Sequence, residues 1–413
     1  MISKYFYGYN IVAAGFIIQA VSIGAMFTYG IFFIEFQSEF GWSRATISGA
    51  SSLAFLITGA IGVLAGRLND RIGPRVLIMA SGISLGLAYM LMSRIQSPWQ
   101  IYLLYGGLAG IGFSTHDVVT LSTVTRWFVK RRGMMSGIVK VGTGTGQFVV
   151  PLIVTILVAA YGWRNSYLII GGVILVTLLS VAQMMRRDPQ GMGLLPDDAG
   201  DEVSGEGNRD PEPDMSLRAA ARTSQFWIMC LSEFVTFLCL LTMIVHIIPH
   251  GTDIGLSLAT AAGVLSTIGG MSLLGRIVMG TANDRIGGKR SLIICYAVLI
   301  CALIFLQIAN QTWMLLLFAA IYGFAHGGFF TVMSPAIAEL FGTVSHGAIF
   351  GVVLFSGMIG GAIGPLLTGR VFDVTGSYQT AFIFLIGAAI AGLILITFLR
   401  PLAPERQVLF PLR

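Results

Sequence analysis

The chain has 413 residues, of which 55% are hydrophobic and 11% charged, and its mean hydropathy is +0.83. Soluble domains carry about a quarter charged residues, so a water-soluble globular fold is excluded and the solvent for most side chains is lipid. The formal net charge of +6 follows from loop cations placed as described below and gives no reason to expect a nucleic-acid partner.

Apolar stretches of roughly 18 to 26 residues recur between short polar connections, long enough to cross a hydrocarbon core of about 30 Å as helices. They predict twelve spans, at 9–34, 45–66, 74–93, 99–125, 133–159, 165–185, 225–249, 257–282, 291–309, 312–339, 347–371 and 378–399. The fold class expected is therefore an all-α polytopic membrane protein. The first apolar run is too long for a signal-peptide core and lacks a small-residue cleavage site, so it is expected to stay as span 1.

Span 1 presents Gln19, Ser22, Met26 and Tyr29 on one face. After span 2 comes a charged loop, Gly66-Arg67-Leu68-Asn69-Asp70-Arg71-Ile72-Gly73-Pro74-Arg75, and span 4 holds His116 and Asp117. Arg131 and Arg132 precede span 5, in which Lys140 lies among regularly spaced glycines. Residues 186–224 then turn polar, with Asp197-Asp198-Ala199-Gly200-Asp201-Glu202 and Pro211-Glu212-Pro213-Asp214, a composition that cannot pack in lipid and reads as a solvated linker. Span 7 holds Glu233, with His246 and His250 flanking Pro249 at its outer end; span 8 holds Ser272 and Arg276; span 10 contains Tyr322-Gly323-Phe324-Ala325-His326-Gly327-Gly328-Phe329-Phe330. Tyr29, Tyr322 and Phe330 are candidate walls of an apolar pocket, and His326 is a candidate to line it. Cys230, Cys239, Cys295 and Cys301 fall inside spans without ligand-like spacing, so no disulfide, metal site or cofactor is expected.

A shift of 214 positions lays the chain on itself. Gly66 and Asn69-Asp70-Arg71-Ile72-Gly73 fall on Gly280 and Asn283-Asp284-Arg285-Ile286-Gly287, and Gly133, Gly137, Gly146 and Pro151 fall on Gly347, Gly351, Gly360 and Pro365. The predicted organisation is an N-terminal six-helix bundle (1–185), a cytoplasmic linker (186–224), a C-terminal six-helix bundle (225–400) and a cytoplasmic tail (401–413). Two similar apolar halves are the pattern of a secondary transporter, whose bundles rock about a site at mid-membrane. With the N-terminus inside, nineteen Lys and Arg fall on inside segments and four on outside ones. That bias puts both termini and the linker in the cytoplasm, in a cell membrane expected to be a bacterial inner membrane.

Ionisable groups at membrane depth cost about 2.5 to 3.5 kcal/mol or more, which makes Asp117, Lys140, Glu233 and Arg276, with His116 and His326, functional candidates. Counting from the turns, Asp117 and Lys140 lie 12 and 11 residues from Val129, and Glu233 and Arg276 lie 21 and 22 from Ile254. Each half is thus expected to pair one acid with one base at similar depth. Burial favours a neutral acid and a neighbouring cation favours a charged one, leaving a group that substrate binding can tip. Asp117 and Glu233 are the leading proton carriers on this reading, with His116 and His246 as further candidates.

The loop after span 2 resembles the cytoplasmic loop signature of the major facilitator superfamily, GxLaDRxGrr, and the second half repeats its core. The resemblance covers the whole chain and implies twelve helices in two pseudo-symmetric bundles. It also implies a latch between bundles, formed by Asp70, Arg71, Arg75, Asp284 and Arg285 with Arg131 and Arg132 nearby. More narrowly, Trp127-Phe128-Val129-Lys130-Arg131-Arg132-Gly133-Met134-Met135-Ser136-Gly137-Ile138-Val139-Lys140-Val141-Gly142-Thr143-Gly144-Thr145-Gly146 is similar to the monocarboxylate transporter signature YFxKRRxLAxGxAxAGSxxG.

This second resemblance implies that Arg276 anchors a carboxylate, with Ser272 one turn away and Gly269 leaving room. It departs from the family in four places. The acid expected before span 1 is missing from Tyr7-Gly8-Tyr9-Asn10. Ser272 stands where eukaryotic relatives have Asp, span 1 has no lysine, and Val352-Val353-Leu354-Phe355-Ser356 in span 11 lacks the cation of oxalate carriers.

The expected function is proton symport of a small monocarboxylate of lactate or pyruvate type, by a monomer with no nucleic-acid partner. The site expected is Arg276, Ser272, Tyr29, Gln19, Lys140, Tyr322, His326 and Phe330. An oxalate/formate-type exchanger is the alternative, and a non-transporting anion receptor a remote one. No nucleophile, metal or phosphate-cradle motif points to an enzyme.

Overall fold

The computed structural model describes residues 6–42, 44–197 and 215–401; most of the acidic linker and the tail beyond 401 lie outside these. Among the described residues there are helices and no strands. They are α1 (Gly8–Phe27), α2 (Tyr29–Phe40), α3 (Arg44–Ile72), α4 (Pro74–Met92), α5 (Pro98–Ile101), α6 (Gly110–Phe113), α7 (Val118–Trp127), α8 (Arg132–Ala182), α9 (Leu217–Ala220), α10 (Ser224–Asp253), α11 (Leu258–Ile286), α12 (Gly288–Leu306), α13 (Thr312–Phe341), α14 (His346–Thr375) and α15 (Gln379–Thr397). Among the described residues, ten helical segments are long and apolar enough to cross a membrane.

The two remaining crossings are hidden by local backbone. In α8 the helix is interrupted at Gly162, whose φ of 73° and ψ of 161° lie outside helical space, so one continuous element contains two spans. Only glycine adopts such a φ at no steric cost. Span 4 is broken instead: α5 runs into a π-helical stretch, Tyr102–Ala109, then α6, then turns through Ser114–Asp117 before α7 begins. Span 1 likewise breaks at Thr28, between α1 and α2. With these two crossings added, the molecule has the twelve-helix architecture that the apolar runs predict.

Glycines set the helix spacing. A Cβ at Gly142 or Gly146 of α8 would strike the backbone carbonyls of Phe16 and Ala20 in α1, and one at Gly275 of α11 would strike that of Phe324 in α13. Close backbone approach through small residues is how helices pack where lipid gives no hydrophobic drive. Large apolar side chains cover the outer surface, among them Leu366 at 77% exposure and Ile156 at 69%.

The halves meet along two crossed contacts, α3 with α14 and α11 with α8. The repeat interconverts them, since α3 corresponds to α11 and the first span of α8 to α14. The contacts begin at the end where the linker lies. There Gly66 abuts Gly347 and Gly133 abuts Gly280, and the seam continues to Gly59 against Phe355 and Met358, and Gly137 against the Arg276 carbonyl. Toward the far end, Cβ atoms at Gly263, Gly269 and Gly270 of α11 would meet nothing within 4 Å. The two halves are thus closed together at the linker end, while Gly263, Gly269 and Gly270 of α11 have open space beside them farther out.

Candidate functional site

The interruption of span 4 frees backbone and side chains at mid-depth. Asp117 lies in the position before α7, and its carboxylate takes an ion pair from Lys140 Nζ on α8. Gln19 of α1 closes round the same acid. Its Nε2 donates to Asp117 Oδ1 at 2.8 Å and to the His116 carbonyl at 3.1 Å, while Thr143 Oγ1 donates to Gln19 Oε1 at 2.9 Å. His116 Nδ1 faces the Phe113 carbonyl, and Nε2 faces Asp117 Oδ2 at 3.4 Å. A void of about 10 Å³ opens beside His116 and Asp117 against Gly351 and Phe355 of α14. That is about the room one water needs, so an organic acid enters only if the halves move apart.

Arg276 joins this centre from the other half. Its Nη1 donates 2.7 Å to the backbone carbonyl of Lys140, while Nε is buried without a partner. Lys140 Nζ also stands 5.2 Å over the ring of Phe330, which packs between Phe237 and His326 at centroid distances of 5.2 and 5.0 Å. Two cations, one from each half, therefore meet across the seam: Lys140 is paired with Asp117, and Arg276 is bonded to the Lys140 carbonyl.

The pairing of Asp117 with Lys140 agrees with the hairpin arithmetic; the expected pairing of Glu233 with Arg276 is not formed. Glu233 is buried with Oε2 unpartnered, beside Gly357 of α14. Depth along a hairpin does not fix the direction a side chain faces, and Arg276 turns toward α8 instead of α10.

Several other candidates are engaged elsewhere. Tyr29 donates 2.7 Å to the Ile47 carbonyl and stacks on Tyr105, and Tyr322 donates 2.7 Å to the Leu240 carbonyl and stacks on Phe318. Both hydroxyls are spent within their own halves, where both side chains are buried. His246 lies about 20 Å along α10 from Glu233, with its ring nitrogens against Tyr378 Oη at 3.2 Å and the Pro365 carbonyl at 3.0 Å. It is not brought to the buried acids. Gln19 brackets Asp117 and has no free face. Ser272 is buried against Gly327, and His326 keeps an unpartnered Nδ1 next to Phe330.

At the linker end, two carboxylates reach into opposite halves. Asp70 of α3 accepts from the backbone N–H groups of Gly347 and Ala348, at 3.0 and 2.8 Å, in the first turn of α14. Asp284 of α11 accepts from those of Gly133 and Met134, at 2.6 and 2.8 Å, in the first turn of α8. Helix N-termini leave unpaired N–H groups and a positive dipole end that favour such anions, by about 0.3–1 kcal/mol each and up to ~2 when partly buried. The arginine on Asp70 is Arg126, whose Nε also donates 3.3 Å to the Thr343 carbonyl in the other half. Arg71 and Arg75 do not pair with it. Arg71 is exposed, Arg75 bonds Gln183 within its own half, Arg131 reaches Tyr9 Oη at 3.5 Å and Arg285 is exposed. Arg132 donates to the Thr125 and Phe128 carbonyls, both at 2.9 Å.

A family model described as Major Facilitator Superfamily matches residues 15–306 and 271–411. The chain belongs to this superfamily. Curated superfamily relatives include Monocarboxylate transporter 13 of Rattus norvegicus, 28% identical over 94% of this chain and 87% of that protein, and Monocarboxylate transporter 12 of Mus musculus, 26% identical over 98% and 88%. An uncharacterized MFS-type transporter of Escherichia coli, YhjX, is 28% identical over 84% of each chain. Among solved structures, the proton:xylose symporter XylE superposes with a TM-score of 0.75 over 96% of this chain and 97% of its own, at 13% identity. The fucose:proton symporter FucP gives 0.72 over 95% and 99%, at 14%. Those likenesses establish the major facilitator fold. This superfamily protein is thus a multi-pass membrane transporter homologous to monocarboxylate transporters, and its family consists of transporters and not enzymes.

Two outcomes are expected from this geometry. Breaking a buried ion pair costs roughly 3–5 kcal/mol when one partner goes, so Asp117→Leu or Lys140→Met alone should lower unfolding stability by about that much. The double variant should cost clearly less than the sum, measured by denaturation of the detergent-purified protein. At the linker end, Asp284→Asn should weaken closure enough to raise maleimide labelling of Ser136→Cys, in a Cys301→Ser background, by about two- to tenfold.

Proposed function

We propose that the protein symports a small monocarboxylate of lactate or pyruvate type with a proton, by alternating access. The observation that supports this most is the chain of contacts across the seam, from Arg276 to the Lys140 carbonyl and from Lys140 Nζ to Asp117. A guanidinium offers a fork matched to two carboxylate oxygens, and Arg276 spends only one nitrogen on a neutral carbonyl. A substrate carboxylate entering between the halves is a better acceptor for it than that carbonyl.

The same carboxylate competes with Asp117 for Lys140. Losing its cation, Asp117 is left buried and unpaired, which favours taking up a proton. The proton has a place to go, between Asp117 Oδ2 and His116 Nε2. Phe330, packed beneath Lys140, offers an apolar surface for a short alkyl group, with His326 alongside. Before substrate binds, Asp117 neutralises Lys140, so the charge an entering anion meets is that of one arginine, which suits a monoanion over a dianion. Glu233, buried with Oε2 unpartnered, is a second acid that can hold a proton.

Orientation follows the loop cations: both termini and the linker cytoplasmic, in a bacterial inner membrane, with a monomer as the working unit. On that orientation the structure is closed to the cytoplasm, and Asp70 and Asp284 are the gate. Opening releases both carboxylates from the opposing helix ends, while Arg126 stays with Asp70 in its own half.

In proteoliposomes, an inward proton gradient should stimulate L-lactate uptake by the wild type, and Arg276→Ala should reduce it by on the order of a hundredfold, the loss expected for a buried charge-assisted contact. Flux that needs an internal counter-anion and ignores the proton gradient would assign the protein to organic-anion exchange instead. Specific binding with no flux would make it a receptor.

A further inference from the structure

A cleft of about 760 Å³ opens at the linker end, apart from the buried centre. Three guanidiniums line it: Arg67 and Arg71, one turn apart on α3, and Arg218 on α9. Among the described residues the only acid in the lining is Asp70. Its two oxygens are already occupied by Arg126 and by the N–H groups of Gly347 and Ala348. Three exposed cations thus share one cavity that, among the described residues, holds no free carboxylate, which suits it to an anion.

Apart from Ser216 and Ser345, the rest of the lining is apolar. Phe226 and Trp227, in the first turn of α10, form one wall, and Val344 and Val352 form another. Trp227 is 56% exposed and is held at the rim by its indole N–H, which donates 3.0 Å to the Ala221 carbonyl. An amphipathic ring at a helix end is typical of the membrane–water boundary. The cleft therefore offers cations to a headgroup and hydrocarbon to a chain, at the depth where a phospholipid has both. Its walls also come from both halves, Arg67 and Arg71 from the first, Val344 and Val352 from the second.

We propose that this cleft binds an anionic phospholipid, with its phosphate among Arg67, Arg71 and Arg218 and its acyl region against Phe226 and Trp227. Free phosphate meets the cations but leaves the apolar walls bare, so the lipid is the better ligand. The site is independent of the transported substrate.

The test is native mass spectrometry of the full-length protein with phosphatidylglycerol or with phosphatidylcholine of the same acyl chains. Each cation near an anionic surface contributes roughly a factor of five in affinity. Wild type should retain phosphatidylglycerol preferentially, and Arg67→Gln with Arg218→Gln should weaken that retention on the order of thirtyfold. Arg218→Lys should keep most of it, which separates lost charge from lost folding, and the melting temperature of the wild type should rise with phosphatidylglycerol. Equal retention of the two lipids, or no loss in the double variant, would overturn the proposal. So would displacement by inorganic phosphate as effective as by the lipid. If phosphatidylglycerol binds only after Asp198→Asn, Asp201→Asn and Glu202→Gln, the cleft belongs to the linker and the proposal also fails.

Discussion

A charge in hydrocarbon must find its partner within the protein, and here that requirement is met across the seam between two halves. Lys140 is held by Asp117 in its own half, but Arg276 has no acid in its own half to hold it and reaches the backbone of Lys140 in the other. The arrangement keeps the halves together at mid-depth while leaving one guanidinium incompletely used. A carboxylate that satisfies Arg276 better than a peptide carbonyl does is therefore able to change how the halves are joined.

The same rule operates at the linker end with opposite signs. Asp70 and Asp284 each satisfy two orphan N–H groups at the start of a helix in the other half. The two contacts are images of one another under the 214-residue repeat: Asp70 maps to Asp284, and the Gly133 that receives Asp284 maps to the Gly347 that receives Asp70. In both, the carboxylate meets backbone N–H groups at the opposing helix end, while arginines lie close by: Arg126 also donates across the seam to the Thr343 carbonyl, and Arg132 of the first half attracts Asp284.

Much of this was legible in the sequence, for identifiable reasons. Lipid imposes a minimum helix length, so apolar runs alone predict the spans, and the repeat predicts the halves and the symmetry of their contacts. Depth is legible too, because rise per residue is constant; it finds Asp117 beside Lys140. Azimuth is not, and it misplaces Arg276 toward Glu233. Arg126 escaped notice because it precedes the Lys130-Arg131-Arg132 triplet and has no counterpart in the second half, where Leu340 stands. The π-helical stretch and the turn that present His116 and Asp117 leave only a trace, the glycines at 106, 107, 110 and 112. The sequence offers Tyr29 and Tyr322 as aromatic rings at span depth but does not show that their hydroxyls bond the Ile47 and Leu240 carbonyls.

The proposed symport depends on competition between a substrate carboxylate and Asp117 for Lys140, with a proton taken up as Asp117 is released. The most direct measurement is the pH of a weakly buffered solution of the purified protein as L-lactate is added. Proton uptake that tracks lactate binding, and that disappears in Asp117→Asn while lactate still binds, is the predicted result. Lactate binding with no proton uptake by the wild type would contradict it.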